Sequence, residues 1–227
     1  MTPINHSVKH SRATLYFIVD PLCGWTYAAQ PIFKQALTIK NINIEVLSGG
    51  MLAFDQRRTI NKDWQQFVTP MDRRIHEISG MPFGKGYQQS LTNVGHILDS
   101  EPPSKAMLVA QQMEKSSLAM LAAIQKAYFV DGLDISDGMV LSRLATLIGL
   151  EPYTFLNKYQ QLGNERIEEH FNKAADLLSS VHGKGYPSAI LEIEGQRELL
   201  NLNRFYSNPN HWKSALIDKI SSPMAIA

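Results

Sequence analysis

The chain carries a single cysteine, Cys23, in 227 residues. No disulfide can close within it, so a disulfide-stapled secreted framework is excluded. It has no apolar run long enough to cross a bilayer as a helix. An excess of one charge is also missing: 22 basic side chains face 21 acidic ones, a formal net charge of +1. That balance gives no electrostatic footprint for nucleic acid or for an anionic membrane surface. Residues 1–12 are polar and contain two histidines. They lack the apolar core of a secretory signal and read as a flexible leader. The absence of a signal and of disulfides points to a reducing, cytoplasmic setting. The seven histidines form no His-x-x-x-His pair and no Cys/His cluster, so no metal site is expected.

What is present suits a globular protein with a sizeable core: 44% apolar and 19% charged residues. The length fits one large domain, or one domain carrying an insertion. Ala13 to Val19 is a short apolar run, rich in β-branched and aromatic residues, and reads as a buried strand. Trp25 to Lys40 has a helical apolar rhythm, and Asn41 to Ser48 reads as a second strand closed by Gly49-Gly50. This βαβ start favours a parallel pair.

The pattern then becomes helical. Asp63 to Ser79 reads as a helix with Trp64, Phe67, Met71 and Ile75 on one face. Ser104 to Val130 reads as one long helix with a core stripe of Ala106, Ala110, Met113, Met120, Ile124 and Ala127. Ser136 to Ile148 follows, with Ser136 as N-cap and Gly149 as the stop. Pro152 opens a short helix that ends near Gly163. No strand is expected between residues 51 and 164. Ile167, Phe171, Ala174, Leu178 and Val181 then mark an amphipathic helix. Ser188 to Ile193 and Arg197 to Leu202 read as an antiparallel hairpin, and Asn208 to Ile220 as a closing helix. The outer pieces make an α/β architecture, a four-stranded mixed sheet covered by helices on both sides. Residues 13–50 and 165–220 form this discontinuous domain, and 51–164 form an all-helical insertion.

Cys23 sits at the junction of the first strand and the first helix, in Asp20-Pro21-Leu22-Cys23-Gly24-Trp25-Thr26-Tyr27. Free amide N–H groups and the dipole at a helix start favour an anion, and a thiolate is one. Such a position is expected to lower the thiol pKa and make it reactive. A lone cysteine elsewhere is more often a small buried hydrophobe; the junction favours the reactive role. Thr26, three residues on, is either a hydroxyl donor facing the sulfur or an ordinary helix-start residue. Trp25 is either the lip of a substrate groove or a packing residue, and Tyr27 reads as packing. Pro187, taken alone, reads as a trans proline opening a strand. His76 and His96 read as surface positions and His182 as a helix-end cation. Gly84-Lys85-Gly86 and Gly183-Lys184-Gly185 lack the spacing of a phosphate loop.

The outer element order together with Cys23 resembles the thioredoxin fold, and a helical insertion between its halves resembles the DsbA family. The Asp20 to Tyr27 run is similar to the Asp-Pro-x-Cys-x-Trp-Cys-Tyr active-site run of a DsbA-like subgroup described as predicted protein-disulfide isomerases, which includes FrnE-like proteins. Ser48-Gly49-Gly50-Met51 resembles that subgroup's second-strand end, and Asp99-Ser100-Glu101-Pro102 its entry into the long helix. Gly185-Tyr186-Pro187-Ser188 falls where the family places its cis-proline loop. The resemblance spans roughly residues 13 to 220. It implies a cis Pro187 beside Cys23 and a Tyr186 backbone open to an extended ligand.

One departure matters most. Thr26 stands where the family has its second cysteine, the thiol that resolves a mixed disulfide. A self-contained dithiol cycle is therefore excluded. The resemblance then implies monothiol chemistry at Cys23, with a low-molecular-weight thiol such as glutathione as co-substrate, or a protein cysteine as substrate, and no covalently bound cofactor. Thr26 would assist catalysis, and Trp25, Tyr186 and Pro187 would bind the substrate. Two alternatives stand beside this: a glutathione-dependent transferase or isomerase of the kappa type, which activates glutathione with a hydroxyl residue, and a redox-inactive binding protein on the same fold.

Overall fold

The computed structural model describes residues 13–221; the leader read at 1–12 lies outside them. The chain opens with β1 (Ala13–Val19), α1 (Gly24–Ala28), α2 (Gln30–Ala36) and β2 (Ile42–Ser48). It continues through β3 (Arg58–Thr59), α3 (Lys62–Ser79), α4 (Lys85–Ser90) and β4 (Ile97–Leu98). Then come α5 (Glu101–Gln112), α6 (Ser117–Phe129), α7 (Gly138–Leu147), α8 (Pro152–Gln161) and α9 (Asn164–Ser179). It closes with β5 (Ser188–Ile193), β6 (Gln196–Leu200) and α10 (Pro209–Ser221).

The main sheet has four strands in the order β2-β1-β5-β6. β1 pairs parallel with β2, from Ala13 opposite Ile42 to Val19 opposite Ser48, and antiparallel with β5. β1 is thus central, which explains why nearly all of it is apolar. Leu15, Phe17 and Val19 face one core with Ile32, Phe33, Trp212 and Leu216; Phe17 and Phe33 rings lie 4.6 Å apart. Ile18 faces the other way, onto Leu47, Ala174, Leu177 and Ile190 under α9. The β5–β6 hairpin turns on Glu194 (φ 52°) and Gly195 (φ 83°), the left-handed pair that suits a two-residue loop.

Several expectations change. The first helix breaks at Ala29, because Pro31 has no N–H for the Tyr27 carbonyl; α2 then stops at Ala36 rather than Lys40. The single long helix from Ser104 to Val130 is a helical hairpin. Glu114 adopts φ 60° and the Lys115 N–H closes on the Ala110 carbonyl at 3.0 Å, ending α5 before α6 starts. The apolar rhythm crosses the break because both segments face one core. Asp137, not Ser136, caps α7: its carboxylate accepts from the Met139 N–H, while the Ser136 hydroxyl donates to Asp134. In α3 the expected face holds at Ile75, which is buried, and at the half-buried Trp64; it fails at Phe67, 57% exposed, and Met71, 36%, where Val68 is buried instead. The segment 51–164 is also not wholly helical, since β3 and β4 form a two-residue antiparallel ladder.

Candidate active site

The thiol is placed by the end of the central strand. β1 stops at Val19, the chain turns at Asp20-Pro21-Leu22, and the Cys23 N–H donates to the Asp20 carbonyl at 3.1 Å. Cys23 is the N-cap of α1, with an extended backbone (φ −84°, ψ 118°). Its side chain is buried, and Sγ donates to the Tyr186 carbonyl at 3.3 Å, across 163 residues of sequence. Burial pushes the thiol up to about 11; the Thr26 N–H and hydroxyl and the Trp25 N–H pull it down, and the Asp20 charge adds to the rise. The expected lowering is thus reversed. A helix of five residues offers donors at its start, but these do not offset removal of the thiolate from water.

Beneath the thiol is a sealed polar floor. Asp20 is fully buried; Oδ1 accepts from the Leu22 N–H and the Ser100 hydroxyl, each at 2.9 Å, and Oδ2 from the Met51 N–H at 2.7 Å. Burial raises its pKa to about 6 although the three donors oppose it. Thr26, also fully buried, accepts from the Asp20 N–H at 3.3 Å. Gln125 of α6 donates to the Asp20 and Pro21 carbonyls and accepts from Gln30 at 2.7 Å. This floor ties the turn before Cys23 to the start of α5 and to α6. At the end of β2 the half-buried His170 accepts from the Ser48 N–H at 2.9 Å; desolvation and the Lys173 charge hold its pKa down at about 4, so the ring is neutral.

Beside the thiol is an open cleft of about 550 Å³, lined by Trp25, Arg74, Lys184, Tyr186, Pro187 and Tyr206 among others. Cys23 does not line it; the Sγ contact to the Tyr186 carbonyl is the link. The Tyr186–Pro187 bond is cis. The Tyr186 ring lies where Gly49 has no side chain: a Cβ there would sit 2.0 Å from the ring, and the hydroxyl donates to the Gly49 carbonyl at 3.0 Å. Trp25 is half-buried, 5.1 Å from Tyr206, so it both packs and lines the cleft. Tyr27 is a packing residue, stacked on Phe129 at 4.8 Å with its hydroxyl donating to the Pro82 carbonyl.

No protein-family model matches the chain, and no curated protein does. Solved structures do. The cytosolic disulfide reductase DsbM from Pseudomonas aeruginosa is 31% identical, with a TM-score of 0.85 over 91% of this chain and 98% of that one. The chain belongs to the DsbA-like thioredoxin-fold family. The structure of the same reductase with GSH gives 30% identity and a TM-score of 0.83 at the same coverage, 91% and 98%. A Nitrosomonas europaea protein described as a disulfide isomerase shares the fold at a TM-score of 0.75 and 18% identity, over 91% of this chain and 98% of that one.

Within this DsbA-like fold, Cys23, Thr26, Trp25, Tyr186 and Pro187 come together at one end of the sheet. Thr26 occupies the buried place one turn into α1 where the resemblance puts the second cysteine. Asp20 was legible only as one letter of that motif. Its signal was a carboxylate directly after a buried apolar strand, which must find donors. Gln30, Ser100 and Gln125 carried no such signal, because their partners lie on other elements. Among the described residues, no helix is long and apolar enough to cross a membrane.

Proposed function

We propose that the chain is a monothiol disulfide reductase of the DsbA-like family, with Cys23 as its nucleophile and glutathione as its co-substrate. The observation that carries this is the Cys23 sulfur set against the Tyr186 carbonyl, with a hydroxyl at Thr26 where a resolving thiol would stand. The Cys23 thiolate attacks the glutathionyl sulfur of a mixed disulfide RS–SG. The Cys23–SG bond forms, the RS–SG bond breaks, and RS⁻ takes the proton Cys23 gave up. A glutathione thiolate then attacks the glutathionyl sulfur on Cys23, releasing GSSG and the Cys23 thiolate, which takes the proton from that glutathione. The sum is RSSG + GSH → RSH + GSSG.

Each chain residue has one role. The Thr26 N–H and hydroxyl and the Trp25 N–H favour the thiolate. The Tyr186 backbone pairs with the extended ligand, and Trp25 and Pro187 shape the cleft beside it. A reducing compartment, the cytoplasm, suits this chemistry; the similar reductase with GSH supports the choice of thiol. RSSG is a glutathionylated protein cysteine or a small mixed disulfide; either one requires Cys23 to accept glutathione, which gives the test. Purified protein is incubated with a glutathionylated peptide and GSH, and peptide thiol release and Cys23 adducts are followed by mass spectrometry. Release with a transient Cys23–glutathione adduct, both lost in Cys23→Ser, is the expected result.

One observation favours a second reading. A buried thiol held at about 11 is a poor nucleophile at neutral pH. On this reading the chain binds a thiol-containing ligand in the cleft without turnover. The same experiment separates the two: absence of any Cys23 adduct, with GSSG in excess, would leave binding alone.

A further inference from the structure

Two cations reach the cleft from distant parts of the chain. Arg74 lies on α3, one residue before Ile75, which is fully buried and whose Cδ1 is 2.9 Å from where a Cβ on Gly24 would sit. Lys184 lies in the loop before the cis bond, between His182 (φ 52°) and Gly185 (φ 77°), left-handed positions that bend the chain on either side of it. Both line the cleft and both are exposed. Among the described residues neither makes an ion pair, whereas Arg57, Arg197 and Lys219 each pair with a carboxylate. Among the described residues no carboxylate lines the cleft.

We propose that Arg74 and Lys184 form a carboxylate clamp that makes the cleft selective for small thiols and disulfides bearing a carboxylate on each side of the sulfur. This rests on the monothiol reading and names its substrate class. Glutathione has this chemistry: a carboxylate at each end and the thiol between. Extended, such a tripeptide spans about 10 Å. Its central amide pairs with the Tyr186 backbone, which fixes the sulfur over Cys23 and carries the two ends outward. Arg74 and Lys184, both lining the cleft, are the groups available to meet them. Arginine offers a fork that fits a carboxylate in two hydrogen bonds, and lysine a point charge. The cleft volume suits a ligand of this size.

The test uses the full chain and two disulfides: GSSG, which carries carboxylates, and the neutral 2-hydroxyethyl disulfide. The rate of Cys23 adduct formation with each is read by mass spectrometry, and the quantity of interest is the ratio of the two rates. The native chain is expected to favour GSSG, less so in raised salt. Arg74→Ala and Lys184→Ala should each lower the ratio about fivefold, and Arg74→Lys should restore part of it. A ratio that stays at the native value in both alanine variants overturns the clamp while leaving monothiol chemistry in place. Should the native chain form no adduct with either disulfide, the redox reading falls, and calorimetry of GSH binding to Cys23→Ser decides the clamp separately. Binding weakened by Arg74→Ala and Lys184→Ala supports it; no binding, or binding that ignores them, overturns it.

Discussion

The floor under Cys23 and the cleft beside it are both polar, and they differ in every physical respect. The floor is buried, and each of its groups is paired: Asp20 with three donors, Thr26 with the Asp20 N–H, Gln30 with Gln125. The cleft is open, and its two cations face solvent. In the floor, a group is fixed by the cost of leaving it unsatisfied. In the cleft, a charge is held ready for a ligand. The floor shapes the geometry and acidity of the thiol; on the proposed reading the cleft selects what reaches it. The thiol links the two: it sits on the floor and meets the cleft through the Tyr186 carbonyl, and burial is the stronger influence on its acidity.

The largest effect should come from the atom the two regions share. Cys23→Ser is expected to abolish mixed-disulfide formation and peptide reduction completely, as read by mass spectrometry and thiol release. Residual reduction would move the chemistry away from this site, since no other cysteine exists in the chain. Next, Thr26→Cys places a second thiol in the floor one turn from Cys23. An internal disulfide should form under mild oxidation, and disulfide reductase turnover should rise about tenfold or more, because the resolving step becomes intramolecular. If gel-shift alkylation shows two free thiols after oxidation, the two positions do not face each other.

Much of this was written in the sequence. The uniform apolar character of β1 gave a buried central strand, and the hairpin after Pro187 had to complete the same sheet, which brings Tyr186 to Cys23. Burial of the thiol was not legible, because it depends on Tyr186 and on floor residues from α5 and α6. The acidity expected from the helix start therefore had the wrong sign. Phe67 and Met71 misled for a related reason: a helical apolar rhythm gives a face, and only the packing partner decides which neighbouring face is covered. The break at Glu114 was hidden because no glycine or proline marks it.

Smaller effects sharpen the contrast within the floor. Thr26→Val leaves the buried Asp20 N–H without its acceptor and removes a donor to the thiolate. It should cost about 1–3 kcal/mol in urea unfolding, and slow Cys23 alkylation at any given pH. Asp20→Asn removes a charge that opposes the thiolate, so the midpoint of alkylation against pH should fall below that of the native chain.

The last effect is a pH dependence in which opposing groups partly cancel. His170 has its pKa lowered to about 4, so its contribution is full above the unfolded value of 6.5 and is lost as pH falls through about 4. Asp20 has its pKa raised to about 6, so its contribution is full below 3.8 and is lost as pH rises through about 6. The two oppose each other between these limits; Asp72, raised to about 6 by burial, acts with Asp20. Relative to the native chain, the Tm of His170→Gln should rise as pH falls from about 6.5 to 4, and that of Asp20→Asn should fall. Parallel curves for all three would show that neither group titrates differently on folding.

The seat of the Tyr186 ring on Gly49 has a consequence for how this protein can change over generations. Any side chain at 49 would occupy the space of the ring, 2.0 Å from it at the first carbon. The two positions lie 137 residues apart, yet 49 cannot gain a side chain while the Tyr186 ring stays in place. A lineage that gains a side chain at 49 must give up the aromatic at 186, and with it the wall beside the thiol. A side chain at 49 therefore requires two changes, whereas 186 can become smaller in one.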